Sequence, residues 1–352
     1  MLTNFRLNIK KLILTARIFK NIVPMKCYGS IFTNVLKNSL KLHTPSSAVL
    51  ALTYRCQCNC IHCSAGLYSK NEELELNTEE WFSGLDSVYK MGVPRINLSG
   101  GEALIRKDIF DIIEYAAKKF VVILESNGLL LTEDNVKYLK KSRISCVAVS
   151  LDSPESHVHN NLRSSPGCFE KAIEGIVRLR KYKIPCLIST YFTSDRSCKE
   201  NIKKITALAK RLGAFAVRVL PARPVGSFSR RTDLLLNKND ENCILQNIDH
   251  SRVYFQGLPA PKVCGIFCKA TFYISPYGEV QPCPYLPFYF GNIRADALNL
   301  ALDRMWHYHA FTQMNEKKCL ILNEKFREKY LTPYLNQDNI ILPLSRGDDP
   351  RQ

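Results

Sequence analysis

Acidic residues are absent from the first 47 positions of this 352-residue chain, which hold eight Lys or Arg. The formal charge is +17, so the remaining 305 residues account for only +9. No run of 18 uncharged apolar residues occurs, which removes a conventional membrane span. No small-residue cleavage site follows a clean apolar stretch, so a secretory leader is not expected, while an organellar transit segment stays open. Internal repeats and low-complexity tracts are also missing, which sets aside solenoids and biased disordered segments. What is present is a full share of apolar residues, 46%, enough for one large domain and a small one.

The acid-poor arm admits three partners: nucleic acid, anionic lipid or a targeting receptor. Phe5, Ile9, Leu12, Ile13 and Phe19 recur near helical spacing and predict an amphipathic helix. That helix either packs on the rest of the fold or makes a peripheral membrane contact through residues 1–23. Aromatics interleaved with the basic residues, and any known binding module, are lacking, so no nucleic-acid partner is expected.

The 14 cysteines cluster. Cys56, Cys58, Cys60 and Cys63 fall within eight residues, and Cys264, Cys268 and Cys283 within twenty. Dense thiolates at short spacing suit soft-metal or cluster ligation rather than disulfides, which implies a reducing, cytoplasmic setting.

From residue 48 to about 220, apolar β-rich runs alternate with helical patterns. Candidate strands are 48–54, 94–98, 120–125, 144–151, 185–191 and 214–220. Candidate helices are 78–91, 108–119, 132–141, 168–182 and 199–212. Six strands and five helices in alternation predict a parallel sheet with right-handed crossovers. A closed barrel needs eight such units, so the expected fold is α/β, a partial (β/α)6 TIM-like barrel over 48–225. Residues 226–262 read as a linker or lid. A small α+β domain is expected over 263–325, with a hairpin at Pro276–Gly278 and a helix near 296–310. Residues 326–352 form a tail.

Cys56, Cys60 and Cys63 have the spacing C-x3-C-x2-C directly after the first strand, on the side where α/β barrels carry chemistry. Three thiolates can hold three irons of a four-iron cube and leave the fourth open. A zinc site is the competing reading, but zinc normally takes four ligands in two pairs and no second pair lies nearby. The string from Leu52 to Cys63 resembles the radical S-adenosylmethionine (SAM) superfamily. That resemblance implies a [4Fe–4S] cluster whose open iron chelates SAM and cleaves it to a 5′-deoxyadenosyl radical. Cys58 is an extra thiol in the loop and reads as a bystander. His62 stands where the family usually has an aromatic residue.

Further matches follow later strands. Gly100, Gly101 and Glu102 fit the family's glycine-rich motif, which implies contact with the methionine ammonium of SAM. Ser126 and Asn127 are implied near the methionine moiety, and Ser150 and Asp152 near the ribose. Arg163 is implied as a partner of the SAM carboxylate, with a solvated loop arginine as the alternative reading; Arg218 is a weaker candidate of the same kind.

The spacing Cys268-x9-Gly278-x4-Cys283 resembles SPASM and Twitch auxiliary-cluster domains. With Cys264 and Cys319 it implies four ligands to a second, auxiliary [4Fe–4S] cluster that relays electrons. Cys27, Cys146, Cys168, Cys186, Cys198 and Cys243 read as unremarkable, Cys146 and Cys186 as small core residues. The implied activity is that of an oxidoreductase or maturase acting on a small molecule or peptide: a peptide, a tetrapyrrole or a carbohydrate. A ferredoxin or flavodoxin is implied as electron donor. Pro284 stands where sulfatase-maturing relatives carry an acid, which speaks against that substrate. The reading from another class is a non-catalytic iron–sulfur carrier or sensor on the same scaffold.

Overall fold

A computed structural model describes residues 2–66, 68, 71–197, 199–256, 264–312 and 319–335. The Phe5 side chain, Cys198, residues 257–262 of the expected linker, 263 and 313–318 of the expected small domain, and residues 336–352 of the expected tail lie outside the described residues.

Alternation of apolar runs and helical patterns produces one open sheet. Its strands are β1 (Ser47–Thr53), β2 (Arg95–Gly100), β3 (Val121–Ser126), β4 (Cys146–Ser150), β5 (Cys186–Phe192), β6 (Ala216–Pro221), β7 (Val253–Phe255), β8 (Thr271–Ile274) and β9 (Val280–Gln281). They lie in the order β7-β6-β5-β4-β3-β2-β1-β8-β9. Every neighbouring pair is parallel except the β8–β9 hairpin. Among the described residues the helices are α1 (Leu2–Ile22), α2 (Tyr28–Ser39), α3 (Thr78–Lys90), α4 (Ile109–Ala117), α5 (Glu133–Lys141), α6 (Ser156–Arg163), α7 (Cys168–Lys181), α8 (Lys199–Leu212), α9 (Lys238–Asn247), α10 (Leu298–Trp306), α11 (His309–Thr312), α12 (Glu324–Tyr330) and α13 (Thr332–Leu335).

Successive side chains on a strand face opposite sides. Val122, Leu124, Val147, Val149, Ile188 and Val217 join Trp81, Ile112, Leu139, Ile176 and Ile205 of the crossover helices in the main core. The other face, with Val121, Ile123, Cys146, Ala148, Leu187 and Ala216, receives Leu14 and Ile22 of α1 and Cys27 just beyond it. Covering both faces explains why the strand sequences are almost wholly apolar. Each large side chain so buried stabilises the fold by roughly 1.5–3 kcal/mol. The amphipathic segment at the N-terminus is thus a helix whose inward face fills the concave side of the barrel.

Two features differ from the sequence reading. The polar run after Pro221 holds α9 and β7, and β7 extends the parallel sheet beyond β6. The asparagines that resemble a loop begin a helix: the Asn237 side chain accepts from Asp240 N–H, and the Asp240 carboxylate accepts from Asn237 N–H in return. Second, β8 pairs in parallel with β1, Ser47 opposite Thr271. The auxiliary segment therefore continues the barrel sheet. Its hairpin turns at Gly278, whose φ of +86° an L-residue would strain to adopt.

Candidate active site

The cysteine loop leaves β1 at Thr53 and passes under the end of β2. Backbone bonds tie the two together: Gly101 N–H donates to Thr53 O at 2.7 Å and Glu102 N–H to Arg55 O at 2.9 Å. This approach requires glycine. A Cβ on Gly100 would lie 2.0 Å from Thr53 O, and one on Gly101 2.2 Å from Arg55 O. The two glycines thus seat the cysteine loop itself.

Within the loop, the sulfurs are met by donors from three strand ends. Cys56 Sγ accepts from its own loop at Cys58 N (3.4 Å) and from Asn127 Nδ2 after β3 (3.6 Å). Arg163, ending α6 beyond β4, directs Nη1 at Cys60 Sγ, 3.9 Å away. The Cys58 thiol donates to Cys56 and, with Asn127, draws the Cys56 thiol down to about 6 against the effect of burial. Cys60 is likewise lowered, by Cys58 and then by the Arg163 charge. Cys58 and Cys168 pack with Cys60 against Cys56, Cys63 and Leu129. Among the described residues, no three His, Cys, Asp or Glu converge on a geometry for a single metal ion.

Glu102 is fully buried. Its Oε2 accepts from Asn127 N (2.7 Å) and Ser126 Oγ (3.2 Å), and Oε1 accepts from Leu104 N (3.3 Å). Burial pushes its carboxyl up to about 7 in spite of these donors. Asp152 is also buried, and both oxygens are engaged: Oδ2 by Arg163 Nε (2.8 Å), Oδ1 by Tyr191 N (2.9 Å). Burial disfavours its charge, but Arg163 and the neighbouring imidazoles hold it well below the usual carboxylate range. Asp152 here orders Arg163 and the end of β5, and Arg163 is an ion-paired residue facing a cysteine, not a solvated loop arginine. Ser150 sits at the end of β4 beside Ser189 of β5. Arg218 lies deeper, paired with Glu125 (Nη1–Oε1 3.0 Å) and bonded to Ser189 Oγ.

His62 fills an aromatic role. Its ring stacks on Tyr191 at 4.2 Å and 14°, with Nε2 3.7 Å from Asp152 Oδ2. Burial lowers its pKa to about 4, so the ring is neutral. Cys168 and His159 are site residues that the sequence did not single out. His159 Nδ1 accepts from Asp152 N at 3.0 Å, and Cys168 starts α7 beside Asn127. Both lie in the stretch around Arg163, but Cys168 read there as unremarkable and His159 as an ordinary helix residue.

The second cysteine set gathers where β8 and β9 leave the sheet. The Cys264 and Cys319 thiols are hydrogen-bonded to one another, which raises the first and draws the second down to about 6. Burial pushes Cys283 up to about 12, with the Cys319 charge adding to it. Arg223, after β6, also donates to Cys319. The Cys268 thiol turns to the carbonyls of Cys264 and Gly265, 3.7 Å from each.

An open parallel sheet with a three-cysteine loop on its first strand defines a class, and sequence comparison agrees with it. The model of the radical SAM superfamily matches residues 50–205, and that of an iron–sulfur cluster-binding domain, SPASM, residues 264–330. The AdoMet-dependent heme synthase of Methanosarcina barkeri is 31% identical over 293 residues, 72% of this chain and 80% of that protein. The heme synthase of Nitratidesulfovibrio vulgaris is 26% identical over 78% of this chain and 83% of its own. AlbA, the antilisterial bacteriocin subtilosin biosynthesis protein of Bacillus subtilis, is 27% identical over 79% of this chain and 64% of its own. Among solved structures, Streptococcus suis SuiB bound to precursor peptide SuiA superposes with a TM-score of 0.62 at 15% identity, over 78% of this chain and 69% of that one.

This chain belongs to the radical SAM superfamily. It is an enzyme whose cofactors are SAM, a SAM-cleaving iron–sulfur cluster and an auxiliary cluster in the SPASM segment. The relatives are enzymes by name, which leaves the carrier reading without support.

Proposed function

We propose that this enzyme modifies a tetrapyrrole by hydrogen abstraction, as a heme synthase. The observation that carries the substrate is the similarity to heme synthases, 31% and 26% identical over 72% and 78% of this chain. Cys56, Cys60 and Cys63 are the proposed ligands of the SAM-cleaving cluster, and Cys264, Cys268, Cys283 and Cys319 those of the auxiliary cluster. The donor chemistry supports the first set, because Asn127 and Arg163 aim N–H groups at two of its sulfurs. Such donors stabilise charge on ligating thiolates. Cys56, Cys60 and Cys63 would hold the cluster there, and with SAM bound it would supply the 5′-deoxyadenosyl radical needed for hydrogen abstraction.

The chain's own residues then do three things. Gly100 and Gly101 let the cysteine loop sit on the end of β2, so the sulfurs face the sheet's carboxyl ends. Glu102 offers the SAM ammonium an acceptor already fixed by Ser126 and Asn127. Asp152 holds the Arg163 guanidinium beside Cys60, and Ser150 is the proposed ribose contact. An external one-electron donor of ferredoxin or flavodoxin type completes the proposed system.

The test is anaerobic reconstitution with dithionite, SAM and an iron-tetrapyrrole heme precursor. Heme and 5′-deoxyadenosine forming together, by mass spectrometry, is the expected result. A 5′-deoxyadenosine yield that rises only with a peptide substrate would overturn the tetrapyrrole assignment.

A further inference from the structure

The α1–α2 pair has an apolar surface that nothing in the fold covers. On α1, Leu14, Ile18 and Ile22 turn into the barrel. At about 100° per residue, Ile9, Leu12 and Ile13 fall on the opposite side and Phe19 on the flank, and all four are exposed. The second helix is largely inverted, with Ile31 alone of its apolar residues packed inward. Its buried residue is polar: Asn34 donates to Pro45 O at 2.9 Å and Gly92 O at 3.0 Å. Its apolar residues Phe32, Val35 and Leu36 point to solvent. The Phe19 and Tyr28 rings lie 5.0 Å apart and join the two stripes. Phe32 is 70% exposed, Leu12 69%, and Met25 in the connecting turn 82%. A surface helix of a monomer normally turns its apolar stripe inward, and a contiguous exposed one marks an interaction site.

Beside that turn lies an open cleft of about 490 Å³ at Pro24–Lys26, walled by Lys140, Arg143 and Lys183 together with Lys26. Four cations line it and no acid does. The segment that supplies both helices also carries no acid.

We propose that this face docks the enzyme on an anionic phospholipid bilayer. Lipid phosphates are drawn to the basic cleft, and the outward stripes of α1 and α2 enter the headgroup–acyl boundary. Charge complementarity singles out this occupant. A second copy would set one cationic cleft against another, and a nucleic acid would leave the apolar stripes uncovered. No helix among the described residues is long and apolar enough to cross a membrane, so the contact is peripheral, and it combines the apolar and basic signals that stable attachment needs.

The test is vesicle sedimentation of the full-length holoenzyme. Vesicles with about 30% phosphatidylglycerol should bind at least tenfold more tightly than pure phosphatidylcholine. Lys26→Gln, Arg143→Gln and Lys183→Gln together should weaken binding about a hundredfold, at roughly fivefold per cation. Phe32→Ser with Leu36→Ser should weaken it at least tenfold while the melting midpoint and 5′-deoxyadenosine yield hold. Should that pair lower the midpoint, Phe32→Ala alone is read the same way. Equal binding to both vesicle types, or variants that bind like the parent, would overturn the proposal. So would saturable binding of inorganic phosphate without vesicle binding, which assigns the cleft to a soluble anion. A face that instead governs a monomer–dimer equilibrium in sedimentation, with vesicle binding unaltered, would also sink it.

Discussion

Gly101→Ala is the change that most directly tests how the cysteine loop is held. The added methyl carbon would sit 2.2 Å from Arg55 O and 2.7 Å from both Arg55 C and Tyr54 O, where ordinary contact begins at 3.4 Å. Backbone atoms cannot rotate away as a side chain can, so the loop must retreat by about 1 Å. Overpacking of this kind costs roughly 1–3 kcal/mol. The retreat also stretches the bonds Gly101 N–Thr53 O and Glu102 N–Arg55 O, each worth about 1 kcal/mol. A loss of roughly 2–4 kcal/mol follows, or about 3–5 °C in melting midpoint for a chain of this size. A displacement of about 1 Å in a reacting constellation lowers rates on the order of 100-fold. SAM cleavage should fall by that factor, read as 5′-deoxyadenosine per reconstituted cluster. Gly29→Ala is the control: it lies in α2 with nothing within 4 Å of the new carbon and should stabilise by about 0.5–1 kcal/mol. A Gly101→Ala enzyme that melts and cleaves SAM like the parent would refute the close-approach argument.

Replacing Cys56, Cys60 and Cys63 by Ala should lower the iron content from about eight to about four per chain. Cys58→Ala should leave iron unchanged, and iron analysis that reverses the two results would reassign the ligands. Asp152→Asn strands the Arg163 guanidinium without its counter-charge and should cost about 3–5 kcal/mol in urea unfolding at pH 7. A loss below 1 kcal/mol would show that the pair is solvated. Glu102 titrates near 7 when folded and near 4.5 when unfolded. Its folded state therefore holds a proton more tightly, and stability declines as pH rises between those values. In cofactor-free protein, Glu102→Gln should gain on the parent by about 3 kcal/mol between pH 4.5 and pH 8. A difference that stays constant with pH would refute the burial argument.

The elements legible in the sequence were those with a strong local signal. Buried parallel strands such as Val121–Ser126 advertise themselves by apolar runs, and α3 by its helical pattern over 78–91. What escaped depended on distant partners or on residues with two meanings. The Asn-rich opening of α9 has a loop's composition, and only the capping bonds of Asn237 and Asp240 separate the two. The pairing of β8 with β1 spans most of the chain and leaves no local trace. In the site, the cysteine triplet and Glu102 stood out because their spacing and flanking glycines are unusual. Cys168 and His159 did not, since a lone cysteine at a helix start and a histidine within a helix are ordinary. Nor could the sequence reveal that Asp152 and Arg163 satisfy each other, because only the folded geometry brings them together.

The β1–β8 ladder has a consequence for biosynthesis. Ser47 and Thr271 are 224 positions apart, so β1 leaves the ribosome long before the strand that completes its edge. Until then it presents a row of unsatisfied amides and carbonyls, the kind of template on which chains aggregate. A chain stopped near residue 262 would keep that bare edge permanently. Expression of the barrel alone should therefore yield inclusion bodies, and the SPASM segment acts as the closing strip of the sheet it follows.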